Sequence, residues 1–308
     1  MLTLRPVQRS DVTALQRLVA LSPVGLASLP TEHEALLDII RVSEASFAAD
    51  VSYNGEERYL FVLEDTERGC LLASSAWLAT AGFSEPFYCF RNETFVHASR
   101  ELNIHNKIHV LSLCHDLTGH SLLTGLHFAP EADEQAIALA IRGALLFVAT
   151  YPERFAESLV ADVAGYSDGA GHAPFWEAVG RHFLDLTYAE AERLSVLRGR
   201  NVLAELMPGY PVYVPLLPDD AQEVMGQVHP HAETLFSVLL REGFESDHYI
   251  DIFDGGPTVH ARTRALFSVA HSQELTAVST RGLSIESDEP RAFCVKERVG
   301  DDCSPGMP

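Results

Sequence analysis

A chain of 308 residues is long enough for about two domains, and its 47% content of hydrophobic residues is enough to build a sizeable core. The formal net charge of -21 argues against a nucleic-acid partner, because binding to phosphates needs clustered lysine and arginine. No apolar run reaches the roughly 18 residues needed to span a bilayer, so the sequence predicts no membrane-spanning segment.

The five cysteines and the N-terminal residues bear on the compartment. The cysteines are odd in number, scattered and without a CxxC pair, which argues against a structural zinc site or a disulfide framework. The first residues lack the basic segment followed by an apolar segment that marks a secretory signal. These features predict a cytoplasmic protein without a metal site.

The first part of the chain predicts a strand, two helices and a hairpin. Alternating apolar residues predict a strand over 3–7, and Asp11 begins an amphipathic helix. A capping-box spacing over 31–34 predicts a second helix, which continues to Ile40. Residues 59–80 then have the pattern of a β-hairpin.

The next elements alternate between strands and helices. After an irregular run over 95–114, an apolar strand is predicted over 121–128 and an apolar helix over 131–151. A strand over 158–163 and a short helix over 173–183 follow. This order resembles the GNAT-type acyl-CoA N-acyltransferase fold, an α+β fold in which two neighbouring strands splay apart to admit an acyl-CoA.

A second block of elements follows. Helices are predicted over 219–224 and 232–243, the second of them ending at a glycine, and a strand is predicted over 244–253. This helix–glycine–strand order echoes the order around Gly180, which indicates a second GNAT-like lobe.

The resulting organisation has two GNAT-like lobes and a tail. The N-terminal lobe is expected over residues 1–185 and a smaller lobe over 186–270. Residues 271–308 have many charges and few apolar anchors, which predicts a tail that is poorly ordered or held by a partner.

Two runs of the second block carry polar residues suited to chemistry. His229 precedes a proline on a short segment between two helical patterns, and loops on a rigid scaffold often present acid–base residues. The run 249–257 alternates apolar and acidic residues and ends in a Gly-Gly-Pro turn. We therefore expect Asp251 and Asp254 to be brought to a tight corner.

Several motifs together resemble the arginine N-succinyltransferase family, most closely the alpha chain of its two-chain arginine/ornithine form. The resemblance extends from Met1 to about Ala270. Its motifs are LRP at 4–6, FVLED at 61–65, FVHAS at 95–99, HDLTG at 115–119, PFW at 174–176, AELMP at 204–208, GQVHP at 226–230 and YIDIFDGGP at 249–257.

The resemblance implies transfer of a succinyl group from succinyl-CoA to the α-amino group of L-arginine, or of L-ornithine, the first step of arginine catabolism by the succinyltransferase pathway. It implies that His229 is the proton donor and that Leu126 contacts succinyl-CoA. Succinyl-CoA is then a co-substrate, and no cofactor is bound permanently. Recognition of a guanidinium needs carboxylates, for which the candidates are Glu205, Asp251 and Asp254.

One segment departs from the pattern of this family. Glycines at the start of the coenzyme-binding helix let backbone N–H groups surround a pyrophosphate, but residues 131–137 contain three acidic residues and no glycine. Two hypotheses therefore stay open: a catalytic alpha chain, and a non-catalytic subunit that stabilises a catalytic beta chain. The expected partner is a homologous beta chain, and the alternative is a homodimer.

Overall fold

The computed structural model describes residues 1–22, 28–168 and 170–273. In chain order, the strands of these ranges are β1 (Leu2–Pro6), β2 (Arg58–Asp65), β3 (Cys70–Leu78), β4 (Cys89–Ser99), β5 (Ile104–Cys114), β6 (Ser121–Phe128), β7 (Ser158–Asp162), β8 (Val212–Tyr213), β9 (Tyr249–Ile250) and β10 (Thr258–Arg262). The α-helices are α1 (Val12–Ala20), α2 (His33–Ala48), α3 (Glu134–Thr150), α4 (Pro174–Ala178), α5 (Arg181–Leu184), α6 (Tyr188–Arg198), α7 (Asn201–Ala204), α8 (Asp219–Val224), α9 (Glu233–Glu242) and α10 (Phe267–Ala270).

The larger of two sheets has six strands in the order β1-β2-β3-β6-β7-β10. Its neighbouring strands are antiparallel, apart from β6 and β7, which are parallel. That pair matches only Ser121–Leu123 of β6 with Leu159–Ala161 of β7, although β6 continues to Phe128. The two strands therefore separate beyond Leu123, and the predicted α+β fold of the GNAT type is confirmed.

Helices cover both faces of the larger sheet. On one face, Ile141 and Leu145 of α3 pack with Trp77, Leu123 and Val238 in a buried cluster. The Trp77 indole N–H also donates to the Ala144 carbonyl at 3.0 Å, which fixes α3 against β3. Helices α1 and α2 cover the other face, where a separate cluster joins them to β2 and β3. Burial of the sheet on both faces explains why its central strands are almost continuously apolar.

The smaller sheet has the order β8-β5-β4-β9 and is built around a long hairpin. Strands β4 and β5 pair over eleven residues each, from Cys89↔Cys114 to Ser99↔Ile104. Their inner ends pack on α4, α6 and α7, whereas the outer half of the hairpin is exposed. The irregular run predicted over 95–114 is therefore part of a regular hairpin.

The strand predicted over 244–253 is wrong in extent. Apart from an isolated bridge of Glu245 with His260, only Tyr249–Ile250 forms a strand there. The strand ends because the Asp251 carboxylate accepts the backbone N–H groups of Phe253 and Asp254 and so forms a turn. The chain then forms β10, which the sequence did not predict, and β10 pairs with β7 in the larger sheet.

The division into lobes over 1–185 and 186–270 stays a prediction. Each of the two sheets contains strands from both ranges. Of the predicted tail over 271–308, the part after residue 273 lies outside the described residues. Within the described ranges, the helices are too short or too polar to cross a membrane.

Candidate functional site

A cavity of about 580 Å³ lies where β6 and β7 separate. One wall is formed by Leu122, Thr124 and Leu126 of β6, and the opposite wall is formed by residues 162–164 at the end of β7. Further lining comes from helices α2 and α6 and from the turn that contains Asp251 and Asp254. The strands that part to form this cavity offer backbone groups that the sheet does not use, and such groups suit binding of an extended ligand.

The β6 wall contains a bulge at Gly125. The pairing of β3 with β6 shifts register between Ser74 and Ala76, and Gly125 has φ of 62°, a conformation that favours glycine. A Cβ atom at this position would lie 2.9 Å from the Cβ of Ala76. The bulge therefore needs glycine, and it changes the direction of β6 next to Leu126.

His127 follows the bulge and is almost fully buried. Its Nδ1 lies 2.7 Å from the Ser22 hydroxyl, and its Nε2 lies 3.3 Å from the Ser28 hydroxyl. Burial lowers the pKa of His127 to about 4, so this ring is neutral near pH 7. It serves to join β6 to the residues on either side of the segment 23–27.

His229 is held beside the far wall of the cavity. Val228 forms an antiparallel bridge with Gly165, and the His229 backbone N–H donates to the Ala164 carbonyl at 2.8 Å. Ala164 itself lines the cavity, and the His229 side chain is 5% exposed. The sequence-predicted histidine is therefore attached directly to the chain that follows β7.

The hydrogen bonds of His229 determine which ring nitrogen carries the proton. His229 is the N-cap of a short 3-10 helix, and its Nδ1 accepts the backbone N–H of His231 at 3.1 Å. A backbone N–H can only donate, so Nδ1 is unprotonated and the proton of the neutral ring is on Nε2. Burial, and to a lesser degree the nearby His231, lowers the pKa of His229 and keeps this neutral form populated.

Asp254 and Asp251 form the corner that the sequence predicted, but both carboxylates are already hydrogen-bonded. Asp254 accepts the backbone N–H groups of Gly165 and Gly256, each at 2.8 Å, and the Tyr188 hydroxyl at 3.2 Å. The two turns approach closely, because a Cβ atom on Gly165 would lie 2.5 Å from the Gly256 nitrogen. Asp254 thus joins the chain beyond β7 to the turn before β10.

Arg200 neutralises part of this acidic group. Its guanidinium forms an ion pair with Asp251 and lies 3.5 Å from a carboxylate oxygen of Asp162. It also lies over the Phe253 ring, 4.8 Å from the centroid. Although burial alone would lower the pKa of Arg200, Asp251 and Asp162 raise it, so Arg200 is charged.

Burial raises the pKa of two carboxyl groups of this network. Burial, reinforced by the charge of Asp251, raises the pKa of Asp254 to about 8. Burial also raises the pKa of Asp162, although the Arg200 charge opposes the shift. The folded chain therefore holds protons near neutral pH that the unfolded chain has released.

We expect stability to fall as the pH rises from about 6.5 to 8. In this range the folded state binds a proton at Asp254, while an unfolded aspartate, with a pKa of about 3.9, does not. His127 has the opposite effect, but only between about pH 4 and 6.5. Urea unfolding at several pH values measures the slope, which Asp254→Asn should flatten. An equal slope in this variant and the wild type would contradict the assignment.

The structure brings some of the sequence-predicted site residues together and separates others. Leu126, Asp251 and Asp254 line one cavity, and His229 is hydrogen-bonded to the wall of that cavity. Glu205 is exposed at the end of α7 and does not line the cavity. The roles predicted for these residues stay predictions.

Sequence reasoning missed Arg200, Asp162 and Tyr188, which complete the polar network around Asp251 and Asp254. The signal that could have indicated Arg200 is its position in an Arg-Gly-Arg run between two helices. Its partners lie 38 and 51 positions away in the sequence, where local patterns carry no information about pairing.

An adjoining cavity of about 260 Å³ shares Leu78, Gly82, Phe87 and Arg200 with the first. Its lining includes three carboxylates, which are those of Glu56, Glu57 and Glu85. Across the described ranges, histidine, cysteine and carboxylate side chains form no group of three or more that could hold a metal ion.

Comparisons with known proteins all identify the same family. The family model described as "Arginine N-succinyltransferase beta subunit" matches residues 2–268. The chain is 63% identical over 274 residues to Arginine N-succinyltransferase subunit alpha of Pseudomonas aeruginosa, and the match covers 89% of this chain and 81% of that protein. It is 39% identical over 280 residues to Arginine N-succinyltransferase of Yersinia enterocolitica, over 90% of this chain and 81% of the relative.

Two further comparisons concern a second subunit and a solved structure. The beta subunit of Arginine N-succinyltransferase from Pseudomonas aeruginosa is 37% identical over 303 residues, which cover 97% of this chain and 86% of that subunit. The structure of arginine/ornithine succinyltransferase subunit AI from the same organism superposes with a TM-score of 0.81 at 60% identity, over 89% of this chain and 80% of that one. Pseudomonas aeruginosa thus has both an alpha and a beta subunit, and each is similar to this chain.

Proposed function

The chain belongs to the arginine N-succinyltransferase family of acyltransferases, and from this we propose that it transfers the succinyl group of succinyl-CoA to the α-amino group of L-arginine, the first step of arginine catabolism by succinylation. The observation that carries the proposal is the cavity between β6 and β7, with Leu126 on one wall and the His229 segment attached to the other. No resident cofactor is needed, since succinyl-CoA is consumed as a co-substrate.

The chemistry assigns a separate task to each side of the cavity. The neutral α-amino nitrogen attacks the thioester carbonyl carbon, a C–N bond forms, the C–S bond breaks, and the coenzyme leaves as a thiolate. The attacking nitrogen releases one proton as the amide forms. We assign stabilisation of the thioester oxygen, as negative charge develops there, to the β6 backbone beside the Gly125 bulge. The leaving sulfur needs a proton, and we assign its delivery to His229. The ring takes up the proton released by the attacking nitrogen and, as an imidazolium, donates its Nε2–H to the sulfur.

The guanidinium of arginine needs an acidic site separate from the thioester. Asp251 is paired with Arg200, and Asp254 is satisfied by two backbone N–H groups and a hydroxyl. The adjoining cavity supplies carboxylates from Glu56, Glu57 and Glu85. We therefore place the guanidinium in the adjoining cavity and the succinyl group in the larger one.

Replacing Glu57 with glutamine should raise KM for arginine about tenfold, the value of roughly one charged hydrogen bond. Glutamine is matched to glutamate in shape and keeps an oxygen for the Gly55 backbone N–H, which Glu57 accepts at 2.7 Å. KM for succinyl-CoA should not change. Steady-state kinetics of Glu57→Gln and Glu205→Gln measure the KM for arginine in each variant. They compare the adjoining cavity with the exposed Glu205 as the binding site of the guanidinium. A rise in the KM for arginine only in Glu205→Gln would contradict the placement.

The direct test of the activity uses the purified chain with succinyl-CoA and L-arginine. Release of the coenzyme thiol measures the rate, and mass spectrometry of the product identifies N-succinylarginine. L-Ornithine in place of arginine measures the preference between the two acceptors. Thiol release without a succinylated acceptor would show hydrolysis and would contradict the proposal.

We further propose that the chain assembles with a homologous beta chain. The start of α3 is occupied by its own acidic residues, because Asp133 accepts the Ala136 backbone N–H at 2.8 Å and Glu134 pairs with Arg241. This arrangement is unfavourable for a pyrophosphate. It also supports the second candidate function, in which this chain stabilises a catalytic partner.

The β4–β5 hairpin supports an assembly, since its outer half exposes Phe95, Val96, Leu102 and Ile104. Light scattering and activity assays of the chain, alone and co-expressed with a homologous beta chain, test the proposal. Full activity and a monomeric mass for the chain alone would contradict it.

A cytoplasmic location is proposed for the same assembly. The five cysteines are odd in number and scattered along the chain, a pattern typical of proteins in a reducing compartment.

A further inference from the structure

Arg58 is placed at the wall of the larger cavity by the register of the sheet. It is the first residue of β2 and lies opposite Leu78 of β3, which in turn lies opposite Leu122 of β6. Residues paired directly across strands share one face of a sheet, so these three side chains are on the same face. All three line the cavity.

The guanidinium of Arg58 has no acidic partner among the described residues. Its backbone N–H is fixed by the Ser46 hydroxyl at 3.0 Å, but its side chain makes neither a hydrogen bond nor an ion pair within the described ranges. Burial lowers its pKa, and no carboxylate offsets this shift. Arg200, the other arginine of this lining, is by contrast already paired.

An unpaired cation in a partly apolar cavity is costly unless a ligand supplies an anion. The cavity surface around Arg58 is apolar, with Ile39, Leu78 and Leu122 among its lining. An arginine in this position is suited to bidentate recognition of a carboxylate. The acyl group of the proposed donor has a carboxylate at the end away from its thioester.

We propose that Arg58 binds the terminal carboxylate of the succinyl group and so selects succinyl-CoA over acyl-CoA donors that lack a second carboxylate. The inference rests on the proposed function and extends it to the choice of donor. Arg58 is then a binding and specificity residue, which contacts the substrate at the end opposite to the bond that breaks.

The dimensions of the sheet are compatible with this contact. From Leu122, the residue level with Arg58, the bulge at Gly125 lies three residues along β6, or about 10 Å. Two strand spacings, again about 10 Å, separate β2 from β6. An extended arginine side chain and a four-carbon diacid together can cover this diagonal, with the thioester carbon at the bulge.

The test compares succinyl-CoA with butyryl-CoA, which has the same four-carbon chain but a methyl group in place of the carboxylate. Wild type, Arg58→Met and Arg58→Lys are purified in the oligomeric state that the wild type adopts. Calorimetry without acceptor gives the affinity for each donor, and steady-state kinetics with arginine give kcat/KM. Arg181→Met is the matched control, since the exposed Arg181 side chain pairs with Glu177 and neither residue lines the cavity.

We expect Arg58→Met to weaken succinyl-CoA binding roughly 100-fold, which is the range for a charged hydrogen-bonded pair. Butyryl-CoA binding should stay the same or improve. The ratio of the affinity for succinyl-CoA to that for butyryl-CoA should therefore fall by a similar factor. Arg58→Lys should restore part of the ratio, because it returns the charge without the planar fork. Arg181→Met should keep the wild-type ratio.

The result that overturns the proposal is an unchanged ratio in Arg58→Met, equal affinity of the wild type for both donors, or binding of neither donor by the wild type. Binding of butyryl-CoA by Arg58→Met shows that this variant is folded. If Arg58→Met fails to fold, Arg58→Lys takes its place in the test. An unchanged ratio of the affinities for succinyl-CoA and butyryl-CoA in Arg58→Lys would then overturn the proposal. A wild type that binds succinyl-CoA selectively without modifying arginine would contradict the proposed function but support the role of Arg58.

Discussion

Replacing His229 with asparagine should lower the turnover of succinyl transfer about 100-fold or more, without loss of the fold. The neutral ring of His229 carries its proton on Nε2, because Nδ1 accepts the backbone N–H of His231. Asparagine can still accept that N–H as an N-cap but has no acidic group near neutral pH. The variant therefore removes the proton donor and keeps the local structure.

The measurement is kcat with saturating arginine and succinyl-CoA, together with the free energy of unfolding in urea. His229→Gln gives a second side chain without acid–base function. His231→Gln is the control, since His231 is exposed and its backbone N–H survives the change. Turnover of His229→Asn within a few-fold of the wild type would exclude a role as proton donor.

Replacing Arg200 with methionine should lower the free energy of unfolding by about 3 to 5 kcal/mol, the usual cost when one member of a buried ion pair is removed. The Asp251 side chain is 6% exposed and would lose its cationic partner, and Asp162 would lose the same cation. Methionine fills a similar volume, so the loss of stability reports the charge rather than a cavity.

The matched control for Arg200 is Arg241→Met. Arg241 and Glu134 form an ion pair whose side chains are 52% and 60% exposed. Exposed pairs of this kind contribute about 1 kcal/mol or less, and the control should therefore be nearly neutral in urea unfolding. Equal losses of stability in the two variants would show that the ion pairs of Arg200 contribute no more to the free energy of unfolding than an exposed ion pair does. A double change of Arg200 and Asp251 should cost less than the sum of the single changes.

The elements with a strong local pattern were predictable from the sequence. The strand predicted over 121–128 is β6. The helix predicted over 131–151 is α3, which begins three residues later than predicted, at Glu134, directly after its Asp133 cap. His229 was identified through a motif resemblance, and the structure adds the tautomer that the sequence does not encode locally.

What the sequence could not provide are contacts between residues far apart in the chain. The acidic run 249–257 reads as a strand because apolar and polar residues alternate, but the Asp251 carboxylate binds two backbone N–H groups and turns the chain. The substrate-binding roles of Asp251 and Asp254 stay predictions, but the sequence did not indicate that Arg200 and Tyr188, both distant in the chain, contact their carboxylate oxygens. Arg58 could not be distinguished from any surface arginine without the sheet register.

The pairing of β10 with β7 has a consequence for synthesis on the ribosome. Strand β7 is complete at Asp162, but its antiparallel neighbour begins at Thr258, so roughly 100 residues must be added before that edge can pair. At about 5 to 20 residues per second, the edge stays open for about 5 to 20 s. During that interval β7 presents unpaired backbone groups and apolar side chains, which makes the nascent chain vulnerable to strand-to-strand aggregation and dependent on chaperones.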